Sequence, residues 1–143
     1  MCVIDLFSRK IISWDLGKQM TIDFALQVIE RAKSRRELEE PVILHTDRGC
    51  QYTSKQFLEG NKELKLSYSK KACPWDNAVI ESFHALIKRE WLNQFKIKNY
   101  DHAYRLIFEY IETFYNTTRI HSHCDYQSPT TFEKIFISNT KQS

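Results

Sequence analysis

Two carboxylates occupy positions where chemistry is plausible. Asp47 sits in "LHTDRGCQYTS", just beyond the apolar run Pro41-Val42-Ile43-Leu44, and Glu81 sits in "DNAVIESFHALIKRE". An acid at the tip of a short strand either caps a turn or is held for a metal or a substrate. An acid near a helix start either answers the helix dipole, worth a few tenths to ~1 kcal/mol, or faces a ligand. Glu81 is one residue too late to complete a capping box headed by Asn77. The pair says more than either member. Hard divalent cations take oxygen ligands, and phosphoryl transfer uses two such ions a few Å apart. Lys88, two turns along from Glu81, is placed to hold a phosphate beside them.

Other clusters carry less. His121, His123 and Cys124 form an H-x-H-C run without a second ligand cluster, which reads as ordinary loop sequence. The cysteines Cys2, Cys50, Cys73 and Cys124 are scattered and form no C-x-x-C pair. That spacing argues against a zinc module or a disulfide framework and points to a reducing, cytoplasmic compartment.

The elements that must position these residues follow from periodicity. "CVIDLF" and "KIISWDL" are β-branched segments joined by a polar connection, and predict a hairpin. "TIDFALQVIERAKSRR" places Ile22, Ala25, Leu26, Ile29 and Ala32 on one helical face, with Thr21 as cap. Its charged end, "RAKSRRELEE", reads as a solvated last turn. "PVIL" is an all-apolar strand, expected to be covered on both faces. "TSKQFLEG" reads as a short helix closed by Gly60, and "LKLSY" as a strand.

After the loop "SKKACPWDN", Asp76 or Asn77 is expected to cap a strong helix. Val79, Phe83, Leu86 and Ile87 would form its buried face, and Glu81, His84, Ala85 and Lys88 the neighbouring one. A further helix over about residues 100–117 should bury Ala103, Leu106, Ile107, Tyr110, Ile111 and Phe114. Ser128 as cap and Pro129 at the first position start a last one. The order predicts an α/β fold, a mixed sheet flanked by helices, with sites at strand ends.

Composition sets the bounds. The 143 residues, 42% hydrophobic and 13% aromatic with 3 Gly and 3 Pro, suit one packed domain. No run approaches a membrane span and the N-terminus does not read as a secretory signal. Net charge is only +3, yet residues 41–100 hold ten bases against six acids while the flanking segments are near balance. The excess surrounds Asp47 and hints at a phosphate-facing side that includes Lys70, Lys71, Lys88 and Arg89.

"HTDRGCQYTS" followed by "YSKKACPWDNAVIESFHALIKRE", with "VIDLFSRKIISW" before and "FYNTTRIHS…SPTTFE" after, resembles the DDE-type insertion-sequence transposases, relatives of retroviral integrase. The resemblance runs from about residue 3 to residue 136. It implies a ribonuclease-H-like fold, Mg²⁺ (or Mn²⁺) dependence, and DNA cleavage and strand transfer on transposon ends and target. It further implies homo-oligomerisation in the full-length family. Asp47 would be the second catalytic acid and metal ligand, Glu81 the third, and Lys88 a DNA-facing base. Gln51 and Tyr52 would support the loop or touch DNA.

The family's first aspartate lies on a strand before "VIDLFSRK" that has no counterpart here. The chain therefore reads as N-terminally truncated, with the first strand missing, and as inactive alone. Asp5 is read mainly as structural, with a place as substitute metal ligand the lesser reading. The alternative is a non-catalytic remnant that binds DNA or co-assembles with intact transposase. Thirty-three residues separate Asp47 from Glu81, slightly fewer than is usual in the family. Cys124 stands where the family prefers an aliphatic residue. Residues 1–143 are expected to form a single catalytic-core domain, with a core over about 1–98 and a helical extension over about 99–143.

Overall fold

In the computed structural model, residues 1–36, 41–71 and 73–140 are described. The chain divides into two compact units, Met1–Val3 with Ile12–Glu81, and Ile4–Ile11 with Ser82–Ser143.

In the first unit the strands are β1 (Cys2–Ile4, whose last residue belongs to the second unit), β2 (Ile11–Trp14, whose first residue does), β3 (Ile43–Thr46) and β4 (Lys65–Tyr68). Met1 and Asp15 close the open end of the β1–β2 hairpin by exchanging backbone hydrogen bonds, at 2.9 and 3.0 Å. The helices are α1 (Ile22–Ser34), α2 (Cys50–Thr53) and α3 (Lys55–Gly60). Thr21 caps α1 as expected, its hydroxyl accepting from the Phe24 N–H at 3.1 Å, a contact worth about 1 kcal/mol. Ser54 does the same for α3, accepting from Phe57 N–H at 3.2 Å. Gly60 is the last residue of α3 and Asn61 its C-cap. Residues 37–40, the end of the expected charged turn, lie outside the described residues.

β3 and β4 run parallel, with Thr46 opposite Tyr68, and α2 and α3 form their crossover. Ala25, Ile29 and Phe57 are the buried centre of the unit, packed by Val3 from β1, Leu44 from β3 and Leu66 from β4, among others. The strands are hydrogen-bonded as two ladders, β1–β2 and β3–β4, among the described residues. The expected cover on both faces of the "PVIL" strand does not hold. Leu44 joins the core, whereas Ile43 is 65% exposed. Side chains alternate across a strand, and Leu44 is the one that meets the Ala25, Ile29 and Phe57 cluster.

The second unit contains the hairpin tip, most of α4 (Ala78–Glu90), α5 (Tyr100–Phe108) and α6 (Pro129–Thr140). The tip is a turn held by Asp5, whose carboxylate accepts from Phe7 N–H (2.8 Å) and Ser8 N–H (3.0 Å). A π-helical stretch, Glu109–Tyr115, continues α5. Its wider turns move the buried face by one residue, so that Tyr115 is buried where Phe114 was expected, and Phe114 is exposed. Asn116 is buried and fills the strand edge at Ile11. Its amide accepts from Ile11 N–H at 2.9 Å and donates to Ile11 C=O at 3.0 Å.

The Glu90 carboxylate receives Arg119 Nε (2.8 Å) and Nη2 (2.7 Å) and the Tyr110 hydroxyl (2.6 Å). The Arg119 bonds hold Glu90 below the usual carboxylate range. Ser128 caps α6 as expected, accepting from Thr131 N–H at 3.3 Å. Among the described residues no helix is long and apolar enough to cross a membrane.

Candidate active site

Asp47 is the first residue past β3, at the carboxyl end of a parallel strand pair. Its neighbours are tied to the end of β4. The His45 ring lies between Ser67 Oγ (2.9 Å) and Ser69 Oγ (3.2 Å), Ser69 N–H donates to Thr46 C=O at 3.0 Å, and Arg48 Nε donates to Ser69 C=O at 2.9 Å. The carboxylate itself is exposed. Its Oδ1 accepts from Gly49 N–H at 2.8 Å, which turns the chain sharply away from the strand.

Gly49 leaves room for the Gln51 side chain, which a larger residue would push aside. A Cβ there would stand 2.6 Å from Gln51 Nε2 and 3.0 Å from Asp47 Oδ1. The chain then enters α2, which is anchored by the Tyr68 hydroxyl donating to Tyr52 C=O at 3.0 Å. Burial, and more weakly the Asp47 charge, raise the Tyr52 phenol above its ordinary pKa, while a hydrogen bond from Gln51 opposes them.

β4 leads into the basic loop. Lys70 and Lys71 are exposed there. The Lys70 N–H donates to Asp76 Oδ2 at 2.8 Å, and this bond is the main reason the Asp76 carboxyl lies below its ordinary range. The expectation that Asp76 caps α4 is therefore corrected. Asp76 braces the loop, and a 3-10 turn over Pro74–Asn77 runs directly into α4, the Ala78 N–H donating to Trp75 C=O.

Glu81 lies in the first turn of α4 and is exposed. His84, Ala85 and Lys88 are exposed on the same helix, while Phe83 and Ile87 are buried, as the helical spacing requires. Asp47, Lys70, Lys71 and Glu81 belong to the first compact unit, and Lys88 and Arg89 to the second.

Sequence reasoning missed the His45–Ser67–Ser69 clip, the bracing by Asp76 and the exposure of Trp75. The clip had one faint signal, a polar residue at matching places in two short strands. The His121 to Cys124 segment is structural. His123 Nε2 lies 3.0 Å from Phe7 C=O, and the Cys124 thiol, fully buried, donates to Ser8 C=O at 3.2 Å. Burial, reinforced by the nearby Arg119 charge, lowers the His121 pKa to about 4.

As donors, Asp47 and Glu81 suit a hard divalent cation, since carboxylate oxygens are its preferred ligands. Among the described residues no group of three or more His, Cys, Asp or Glu side chains is clustered to hold an ion.

Two family matches cover most of the chain. The integrase core domain pattern matches residues 1–74, and a second integrase core domain pattern matches residues 62–129. The chain belongs to the integrase core domain family. Within it, the relatives are insertion-sequence transposases. The transposase for insertion sequence element IS904 of Lactococcus lactis is 40% identical over 133 residues, covering 92% of this chain and 53% of that protein. Transposase InsF for insertion sequence IS3A of Escherichia coli is 39% identical over 133 residues, covering 92% and 46%.

The chain thus spans about half the length of the curated relatives it matches. Among solved structures, the simian T-cell lymphotropic virus intasome in complex with PP2A regulatory subunit B56 gamma superposes with a TM-score of 0.67. It shares 19% identity and the match covers 90% of this chain and 45% of that one. The fold is ribonuclease-H-like. Divalent-metal use is general in the family.

Proposed function

We propose that residues 1–143 form part of the catalytic core of an insertion-sequence transposase, a polynucleotidyl transferase that cuts DNA and joins transposon ends to a target. The observation that carries this reading is the presentation of Asp47: an exposed carboxylate at the carboxyl end of a parallel strand pair, held by the Gly49 N–H, in the same unit as Glu81. Asp47 and Glu81 would hold Mg²⁺ or Mn²⁺. The metal would supply charge stabilisation for the phosphoryl centre and an activated hydroxyl. Lys70, Lys71, Lys88 and Arg89 would bind phosphates and set the position of the DNA backbone. Asp5, whose carboxylate holds the hairpin turn, takes no part. The working assembly would be a homo-oligomer in the cytoplasm.

Two carboxylates make an incomplete set for two closely spaced dications, which repel one another strongly. A first aspartate, on the strand that precedes this segment in the family, would complete the set. The test assays pre-cleaved transposon ends with this chain and with a version extended by that strand. The extended form is expected to transfer strands and to lose activity in Asp47→Asn and Glu81→Gln. The chain of 143 residues alone is expected to show none. Equal turnover by the short form, abolished by Asp5→Asn, would overturn the assignment.

A second reading has one observation in its favour, the exposure of Lys70, Lys71, Lys88 and Arg89, cations that hold phosphate without any metal. On that reading the chain binds DNA or co-assembles with intact transposase without catalysing. Salt-sensitive DNA binding by an extended form that never transfers strands would select it.

A further inference from the structure

Trp75 is 82% exposed, more than any other large apolar residue among those described. A solvent-facing indole on a mobile tail would mean little, since isolated exposed apolar side chains are common. Trp75 is not on a tail. The Lys70 N–H is bound to the Asp76 carboxylate at 2.8 Å, Cys73 N–H to Lys70 C=O at 3.1 Å, and Asp76 N–H to Cys73 C=O at 3.3 Å. The Trp75 carbonyl accepts the first helical N–H of α4. The backbone on both sides of the indole is thus tied down while the ring faces water.

Its surroundings narrow the occupant. Lys70 and Lys71 are exposed in the same loop, and Glu81 lies in the first turn of the helix that the loop feeds. An exposed indole in the same loop as two exposed lysines is suited to a π-face attached to phosphates. Aromatic stacking with cationic side chains along the backbone is how proteins hold unpaired nucleotides. A base inside a duplex has both faces covered by its neighbours, so the ring needs a base that has left the stack.

Resting on the transposase reading above, we propose that Trp75 stacks on an unpaired base at a DNA end, with Lys70 and Lys71 holding the flanking phosphates. Trp75 is then a positioning residue. It sets which nucleotide lies next to Glu81 and makes the protein prefer frayed or single-stranded ends to blunt ones.

The experiment measures binding of the 143-residue chain to two labelled DNAs of the same sequence, one a blunt duplex and one with a short single-stranded overhang. The native chain should prefer the overhang. Trp75→Ala should weaken overhang binding by about 5- to 100-fold and leave blunt-duplex binding within about twofold. Trp75→Phe should keep most of the preference. Fluorescence lost on adding the overhang DNA should appear in the native chain and vanish in Trp75→Phe. Lys70→Ala should instead lower the salt slope for both DNAs by about one.

Equal affinities of native chain and Trp75→Ala for both DNAs would overturn the proposal and leave the indole to a protein partner. Equal losses on both DNAs would also overturn it, because the ring would then serve the duplex or the loop fold. Salt-sensitive duplex binding in either case would leave the transposase reading standing. No binding of any DNA by the native chain would remove both.

Discussion

The Asp76 carboxylate accepts the backbone N–H of Lys70 at 2.8 Å, across six residues of the basic loop. This bond closes the segment that joins β4, the strand beside Asp47, to the helix that carries Glu81. With the backbone bonds from Cys73 N–H to Lys70 C=O and from Asp76 N–H to Cys73 C=O, it sets how the loop presents Lys70, Lys71 and Trp75.

Replacing Asp76 by Ala should release the loop with little cost to global stability, because the contact is exposed. Hydrogen exchange at the Lys70 amide should accelerate by at least tenfold, while amides in the buried stretch of α1 keep their native protection. An unchanged Lys70 amide would mean that other contacts hold the loop.

Asp47 and Glu81 should stand within several Å of each other when metal is bound, because cation–oxygen distances are ~2.0–2.6 Å. A crystal soaked in Mn²⁺ should show an anomalous peak touching both carboxylates, and Asp47→Asn should remove it. A peak elsewhere, or the two carboxylates on opposite faces, would refute the shared site.

Lys88→Ala should weaken DNA binding about equally for unrelated sequences and reduce the salt slope by about one, as for a lost phosphate contact. Titrations at low and moderate salt measure both quantities. A loss confined to one sequence would place Lys88 at a base edge instead.

Stability should fall as pH drops from about 6.5 toward 4, because His121 resists protonation in the folded chain, with a pKa of about 4 against an ordinary 6.5. Burial is the main cause. The unfolded chain binds that proton first, so acid favours unfolding across this window and the term is flat below it. Glu90 has the same sign. Its carboxyl is lowered by Arg119, and its contribution is lost as pH falls through the folded value. Thermal melts of His121→Phe, which keeps a ring against Tyr115, should be flatter between pH 4 and 6.5 than those of the native chain. Parallel curves would show that His121 does not carry the dependence.

Much of this protein is legible in local sequence because the forces involved are local. The α1 helix with its Thr21 cap, the α6 start at Ser128-Pro129 and the buried Phe83–Ile87 stripe follow from periodicity and capping within a few residues. The motifs around Asp47 and Glu81 identify the family for the same reason, since they are contiguous stretches whose residue types state their chemistry.

Other features depend on residues far apart in the chain. Nothing around Ile43 tells that its side chain stays exposed while Leu44 packs against Ala25, Ile29 and Phe57. The π-helical turn that buries Tyr115 in place of Phe114 is not encoded in apolar spacing, because a 3.6-residue repeat cannot anticipate one widened turn. The Asn116 amide meets the Ile11 backbone across 105 positions of sequence. Local sequence suits Asp76 equally well to a helix cap, and it is a loop brace because the chain leaving β4 delivers the Lys70 N–H to its carboxylate. The exposure of Trp75 has the same origin. An indole is ordinarily a core residue, and only the tertiary course of the loop, tied at Lys70 and Asp76, leaves it facing water.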